Sequence, residues 1–218
     1  GNGLSLNNDA DTVTLVDSNA TVLAQASYSG NLANADQSIV RETDLSGSAN
    51  FVRHSLAQNA GGRRMSPGFC QGGSPFPDCT TIVEPPPTDT DTSDSETSET
   101  SETVDPDVPD TTEVSDTSET VDDVGPTCGP SPLENELVVN EIMANPGLVD
   151  WNEDGTGDNT QDEFVELVSV AVGPMELEGV TISDLVGKKY TFGKLCLQPG
   201  EAVVVFGRGA KHFTSEGV

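Results

Sequence analysis

Along residues 12–16 (Thr-Val-Thr-Leu-Val) polar and apolar positions alternate, and the alternation resumes over 21–28 after the turn signal Asp17-Ser18-Asn19-Ala20. A period of two sends successive side chains to opposite faces, so this stretch predicts a β-hairpin with one buried face, carrying Val22, Ala24, Ala26 and Tyr28 on the same side. Residues 38–41 predict a shorter strand, and residues 43–79, rich in Gly, Ser and Pro, predict loop. Four more strands are expected over 136–143, 163–170, 179–185 and 201–206. Leu137 and Val139 share one face of the first. The last is nearly all apolar, as a central strand buried on both faces must be. Pro174, Gly187, Gly193, Pro199 and Gly200 punctuate the series. No helical period holds over ten residues. Short strands separated by Gly/Pro turns predict an all-β chain folded as an antiparallel sandwich.

Between the two strand-bearing segments the pattern vanishes. Residues 84–124 hold fifteen of the 37 Asp and Glu and none of the nine Lys and Arg. Ser-Glu-Thr recurs three times from Ser95 to Thr103, and Glu-Thr-Val-Asp occurs at 102–105 and 119–122. Such a segment cannot bury enough apolar surface to offset the entropy of ordering it, and its charges and prolines extend it. The expected organisation is therefore a strand-bearing segment at 1–83, a disordered acidic linker at 84–127 and a second strand-bearing segment at 128–218. The formal net charge of −28 lies mostly in that linker. It argues against nucleic acid and anionic membrane surfaces as partners. No apolar run is long enough to span a bilayer.

Four cysteines, Cys70, Cys79, Cys128 and Cys196, allow three complete pairings. Cys70 and Cys79 lie nine apart in one Gly/Pro-rich loop, so Cys70–Cys79 with Cys128–Cys196 is the expected set. The competing state is four thiols in a reducing compartment. No CxxC is present, and neither His54 nor His212 stands at ligand spacing from a cysteine, which argues against zinc. Disulfides would place the chain in an oxidising, extracytoplasmic setting.

The sharpest chemical motif is Asp150-Trp151-Asn152-Glu153-Asp154-Gly155-Thr156-Gly157-Asp158. It repeats the D-x-N-x-D-G opening of a calcium loop, in which alternate oxygen ligands wrap a hard cation and glycine permits the sharp turn. Asp150, Asn152, Asp154, Thr156 through its carbonyl, and Asp158 are the candidate Ca2+ ligands. Gln161 occupies position twelve, where a bidentate glutamate belongs, and Asp162 or Glu163 would substitute only along a different loop path. The same residues also suit an Asx/Gly surface turn with no metal. Glu141, Glu163 and Glu166 are a conceivable acid/base set, but outward or structural positions explain them better. His54 and Ser55 are adjacent and so point apart on an extended chain. Arg63-Arg64 reads as a solvated basic pair, and Trp151 as a rim-packed aromatic. No G-x-S-x-G, H-E-x-x-H or phosphate loop occurs, so no catalytic residues are assigned.

Leu137-Val138-Val139-Asn140-Glu141-Ile142-Met143, Asp162-Glu163-Phe164-Val165-Glu166-Leu167, Leu177 to Asp184, and Leu197-Gln198-Pro199-Gly200-Glu201 with Val203-Val204-Val205 stand in the order of the opening blocks of the lamin-tail domain. The chain resembles the bacterial form found in secreted and cell-surface proteins. Gly3-Leu4-Ser5-Leu6-Asn7-Asn8, Asp11 to Leu15, Gln37 to Arg41 and Ser66-Pro67-Gly68 are similar to the closing half of that family. The closing half therefore precedes the opening half. The resemblance implies an immunoglobulin-like β-sandwich with no catalysis of its own. Each half alone would expose sheet edges and an apolar face, so the two are expected to dock as one permuted sandwich. The functional expectation is a binding or scaffolding module of a multi-repeat cell-surface or secreted protein. Its partners would be neighbouring repeats and a protein or surface-polymer ligand. The alternative is an accessory domain of a secreted hydrolase whose catalytic domain lies elsewhere.

Overall fold

The predicted hairpin forms as β1 (Asp11–Val16) and β2 (Val22–Tyr28) in the computed structural model of the chain. Asp17 closes the turn, its Oδ1 accepting from the N–H groups of Asn19 (2.8 Å) and Thr21 (2.7 Å). The structure describes residues 4–30, 32–33, 36–79 and 128–207, with the backbone of 209–213; the linker expected at 84–127 lies outside them. The hairpin corrects one expectation. Leu23, Ala26 and Tyr28 are buried, while Val22 is 47 % exposed. A bulge pairs Leu15 with Ala24 and Val16 with Val22, skipping Leu23, and so reverses the facing of the first residues of β2.

The first segment continues with β3 (Ile39–Arg41), β4 (Phe51–Arg53) and a 3-10 turn over His54–Leu56. The second supplies β5 (Leu137–Met143), β6 (Phe164–Ser169), β7 (Met175–Glu176), β8 (Thr181–Ser183), β9 (Lys188–Thr191), β10 (Cys196–Leu197), β11 (Ala202–Phe206) and β12 (Gly209–Phe213). One sheet runs β12-β11-β6-β5-β3-β4 and the other β2-β1-β8-β9, with β10-β7 as a separate pair. Every pairing is antiparallel. The fold is thus an all-β antiparallel sandwich, and the two segments interleave in it. β1 pairs with β8 in one sheet, and β3 pairs with β5 in the other. Gly1–Pro85 and Cys128–Val218 accordingly form one compact unit.

The alternation of β1 delivers Val13 and Leu15 to the space between the sheets, where they meet Ile142, Leu167, Ile182 and Val203. Each such side chain contributes about 1.5–3 kcal/mol by leaving water. β5, β6 and β11 are buried along their whole length, because their sheet is covered on both faces. The outer cover is the region expected to be loop. Cys70 and Phe76 from it pack on Met143, Phe164, Val204 and Phe206. We refer to residues 42–79 as the cap. Glycine, serine and proline hide its role from a periodicity reading, since only β4 and one 3-10 turn within it are regular. Both expected disulfides form, with Cα–Cα distances of 5.2 Å for Cys70–Cys79 and 5.5 Å for Cys128–Cys196. Among the described residues no helix is long and apolar enough to cross a membrane.

Candidate functional site

Three polar sites stand out against this apolar frame. The first lies between the cap and the six-stranded sheet. β5 reads Leu-Val-Val-Asn-Glu-Ile-Met, and two adjacent polar residues break its alternation. The break is a bulge, with Val139 paired to Leu167 and Glu141 to Glu166. It sets Asn140 beside Glu141 in the buried layer under the cap. Asn140 Nδ2 donates to Glu166 Oε1 (2.9 Å), and Asn140 Oδ1 accepts from Leu45 N (3.1 Å). Glu166 Oε2 accepts from Gly68 N (2.6 Å), and Glu141 Oε1 from Ser66 N (3.0 Å). Glutamates of the sheet therefore hold the cap by its backbone. Burial, with the neighbouring Glu141 adding to it, raises the Glu166 carboxyl well above the usual carboxylate range. Asp44, pushed up to about 6 chiefly by burial, accepts from Gln71 N at 3.1 Å.

Within this layer Glu141, Ser66 and His54 line up. Ser66 Oγ lies 2.8 Å from Glu141 Oε2, and His54 Nε2 lies 2.9 Å from Ser66 Oγ. His54 Nδ1 faces the Arg63 carbonyl at 3.0 Å, and a carbonyl only accepts, so Nδ1 carries a hydrogen. The constellation resembles a hydrolytic triad in its atoms alone. His54 and Glu141 are 0 % exposed and Ser66 is 5 % exposed, so the line is buried beneath the cap. His54 and Ser55 were expected to point apart, and the serine that His54 meets is Ser66, twelve residues on and brought in by the cap.

The second site is loop 150–162. Asp150 accepts from Asp154 N (3.0 Å) and Gly155 N (2.8 Å), Asn152 Oδ1 from Asp154 N (2.9 Å), and Asp154 Oδ1 from Thr156 N (3.0 Å). Asp158 Oδ1 accepts from Thr160 N (2.8 Å) and Gln161 N (3.0 Å), which holds its carboxyl down at about 2. Asp162 is buried and turned inward, binding the N–H groups of Trp151 (2.7 Å), Asn152 (2.8 Å) and Asp158 (2.7 Å). The chain doubles back so tightly that a Cβ on Gly157 would lie 2.0 Å from the Leu148 carbonyl. Trp151 is half-buried against the outer core, its Nε1 3.3 Å from the Pro146 carbonyl. Among the described residues, the trio of His, Cys, Asp or Glu ligand atoms that comes within 4.8 Å is Asp44, Cys70 and Cys79. Its two sulfurs are joined to each other. The carboxylates of loop 150–162 do not converge three to a point, so a cation there would also need amide and carbonyl oxygens.

The third site is the seam between the segments, a cleft of about 510 Å³ bordered by Leu6, Asp11, Glu163 and Asp184. Glu163 Oε2 accepts from Leu6 N (2.8 Å), and burial pushes its carboxyl up to about 8. Asp184 pairs with Lys189 at 2.8 Å. Tyr28 donates to the Asn7 carbonyl (2.6 Å), and burial beside Asp11, Glu163 and Asp184 raises its phenol.

The chain matches no protein-family model, no curated protein and no solved structure.

Proposed function

We propose that the chain is a non-catalytic binding or scaffolding module, of the lamin-tail kind, from a secreted or cell-surface protein that repeats it along acidic linkers. The observation that carries this reading is the interleaving of strands from both sides of the linker, β1 on β8 and β3 on β5. Each segment supplies the sheet edge that the other lacks, so the same surfaces can be completed within one repeat or between neighbours. The buried Ser66–His54–Glu141 line supports a structural use of the groups that would otherwise suggest hydrolysis. Two disulfides support an oxidising setting. In loop 150–162 a calcium ion would be held by Asp150, Asn152, Asp154, the Thr156 carbonyl and Asp158, with Asp162 fixing the loop from inside. The ion would stiffen a loop that already folds on its own hydrogen bonds.

The test uses the intact chain with a protease site placed at 95–103. No disulfide links the two segments. After cleavage they are expected to co-elute in size exclusion and to part only in denaturant. Separation under native conditions would overturn the reading.

A further inference from the structure

Arg41 is 7 % exposed, yet no carboxylate among the described residues pairs with it. Its Nε donates to the Val139 carbonyl (3.0 Å), and its Nη1 donates to the Ala49 carbonyl (2.6 Å). The guanidinium carbon sits 4.1 Å from the centre of the Phe51 ring. These contacts orient the group and leave its charge without a counter-ion among the described residues, an expensive state for a buried cation. Burial accordingly lowers its pKa, with no acidic neighbour opposing the effect. No described acceptor bonds Nη2.

The side chain borders a cleft of about 350 Å³, within the size range of small-ligand sites. Gln25, Ser48 and Asn135 give the cleft polar edges, and Leu45 and Val138 give it an apolar wall. We propose that this cleft binds a monocarboxylate carrying a short aliphatic body. The carboxylate would lie against Arg41 as a charge-assisted pair, with the body on Leu45 and Val138. One charge suits the site, because Arg41 is the one charged residue that lines the cleft and its Nη2 has no described acceptor. Such a group is offered by a free short-chain acid or by the C-terminal residue of a peptide.

The experiment is isothermal titration of the full chain with valerate, with N-acetylvaline and with the neutral valeramide. Valerate is expected to bind roughly tenfold or more tighter than valeramide, the scale of a lost charge-assisted bond. Binding of N-acetylvaline as well would extend the ligand to peptide ends; its failure would restrict the site to free acids. Because Arg41→Met can unfold the chain, the blocking variant is Gly47→Val. Gly47 and Arg41 both line the cleft, and within 4 Å a Cβ at Gly47 meets only the Val138 methyl, at 3.6 Å, so a side chain there enters the cleft without a backbone clash. The variant should keep the melting temperature and lose valerate binding. Equal binding of valerate and valeramide, no heat with either, or undiminished valerate binding by Gly47→Val would overturn the proposal.

Discussion

Glu163 gives the most direct test of how the two segments hold together. It comes from the second segment, is 4 % exposed, and receives the Leu6 N–H of the first at 2.8 Å. Burial raises its pKa from 4.5 to about 8; Asp11 adds to the rise, and the Leu6 hydrogen bond and Lys189 oppose it. Between those values the folded chain keeps a proton that the unfolded chain releases. The resulting stability is fully present below about pH 4.5 and is lost as the pH rises through about 8. At about 1.4 kcal/mol per pH unit, the span bounds the effect at about 5 kcal/mol. The open cleft beside Glu163 raises the effective dielectric and reduces the working figure to about 2 kcal/mol. Glu163→Gln keeps an oxygen for Leu6 N and never ionises. Urea unfolding of both chains from pH 4 to pH 9 should show the variant gaining about 2 kcal/mol on the parent as the pH rises. Asp44 and Glu166 titrate in both chains and cancel from the difference. A difference that stays flat with pH, or that runs the other way, would refute the argument.

Asn140→Ala strands the buried Glu166 Oε1 and Leu45 N, and should cost about 2–3 kcal/mol in urea unfolding while also raising amide exchange in the cap. Gly129→Ala would set a Cβ 1.9 Å from the Pro174 carbonyl, which is backbone and cannot step aside, so a loss of about 2 kcal/mol or more in thermal unfolding is expected. Calcium at a hundredfold excess over its dissociation constant should stabilise the chain by about 2.7 kcal/mol, and EDTA should remove the gain. A melting temperature unchanged by both would reduce loop 150–162 to an Asx/Gly turn.

The fold class was legible because alternation at period two and Gly/Pro punctuation are local. Thr12 to Val16, Leu137 to Val139 and Ala202 to Phe206 each carry their strand in their own composition, and the nine-residue spacing of Cys70 and Cys79 carries their bridge. Facing was less legible. One bulged residue reverses it, and Leu23 changes places with Val22 for a reason that resides in the pairing with β1. The polar layer under the cap was legible only as a break in pattern, the adjacent Asn140 and Glu141 inside an apolar strand. Ser66, Gly68 and His54 reach that layer from a Gly/Ser/Pro stretch with no period, and their partners lie 75 and 98 residues away at Glu141 and Glu166. A hydrogen bond or a counter-ion depends on distance in space, so only the tertiary structure could join Glu163 to Leu6 and bury Arg41 beside a cleft with no acid among the described residues that line it.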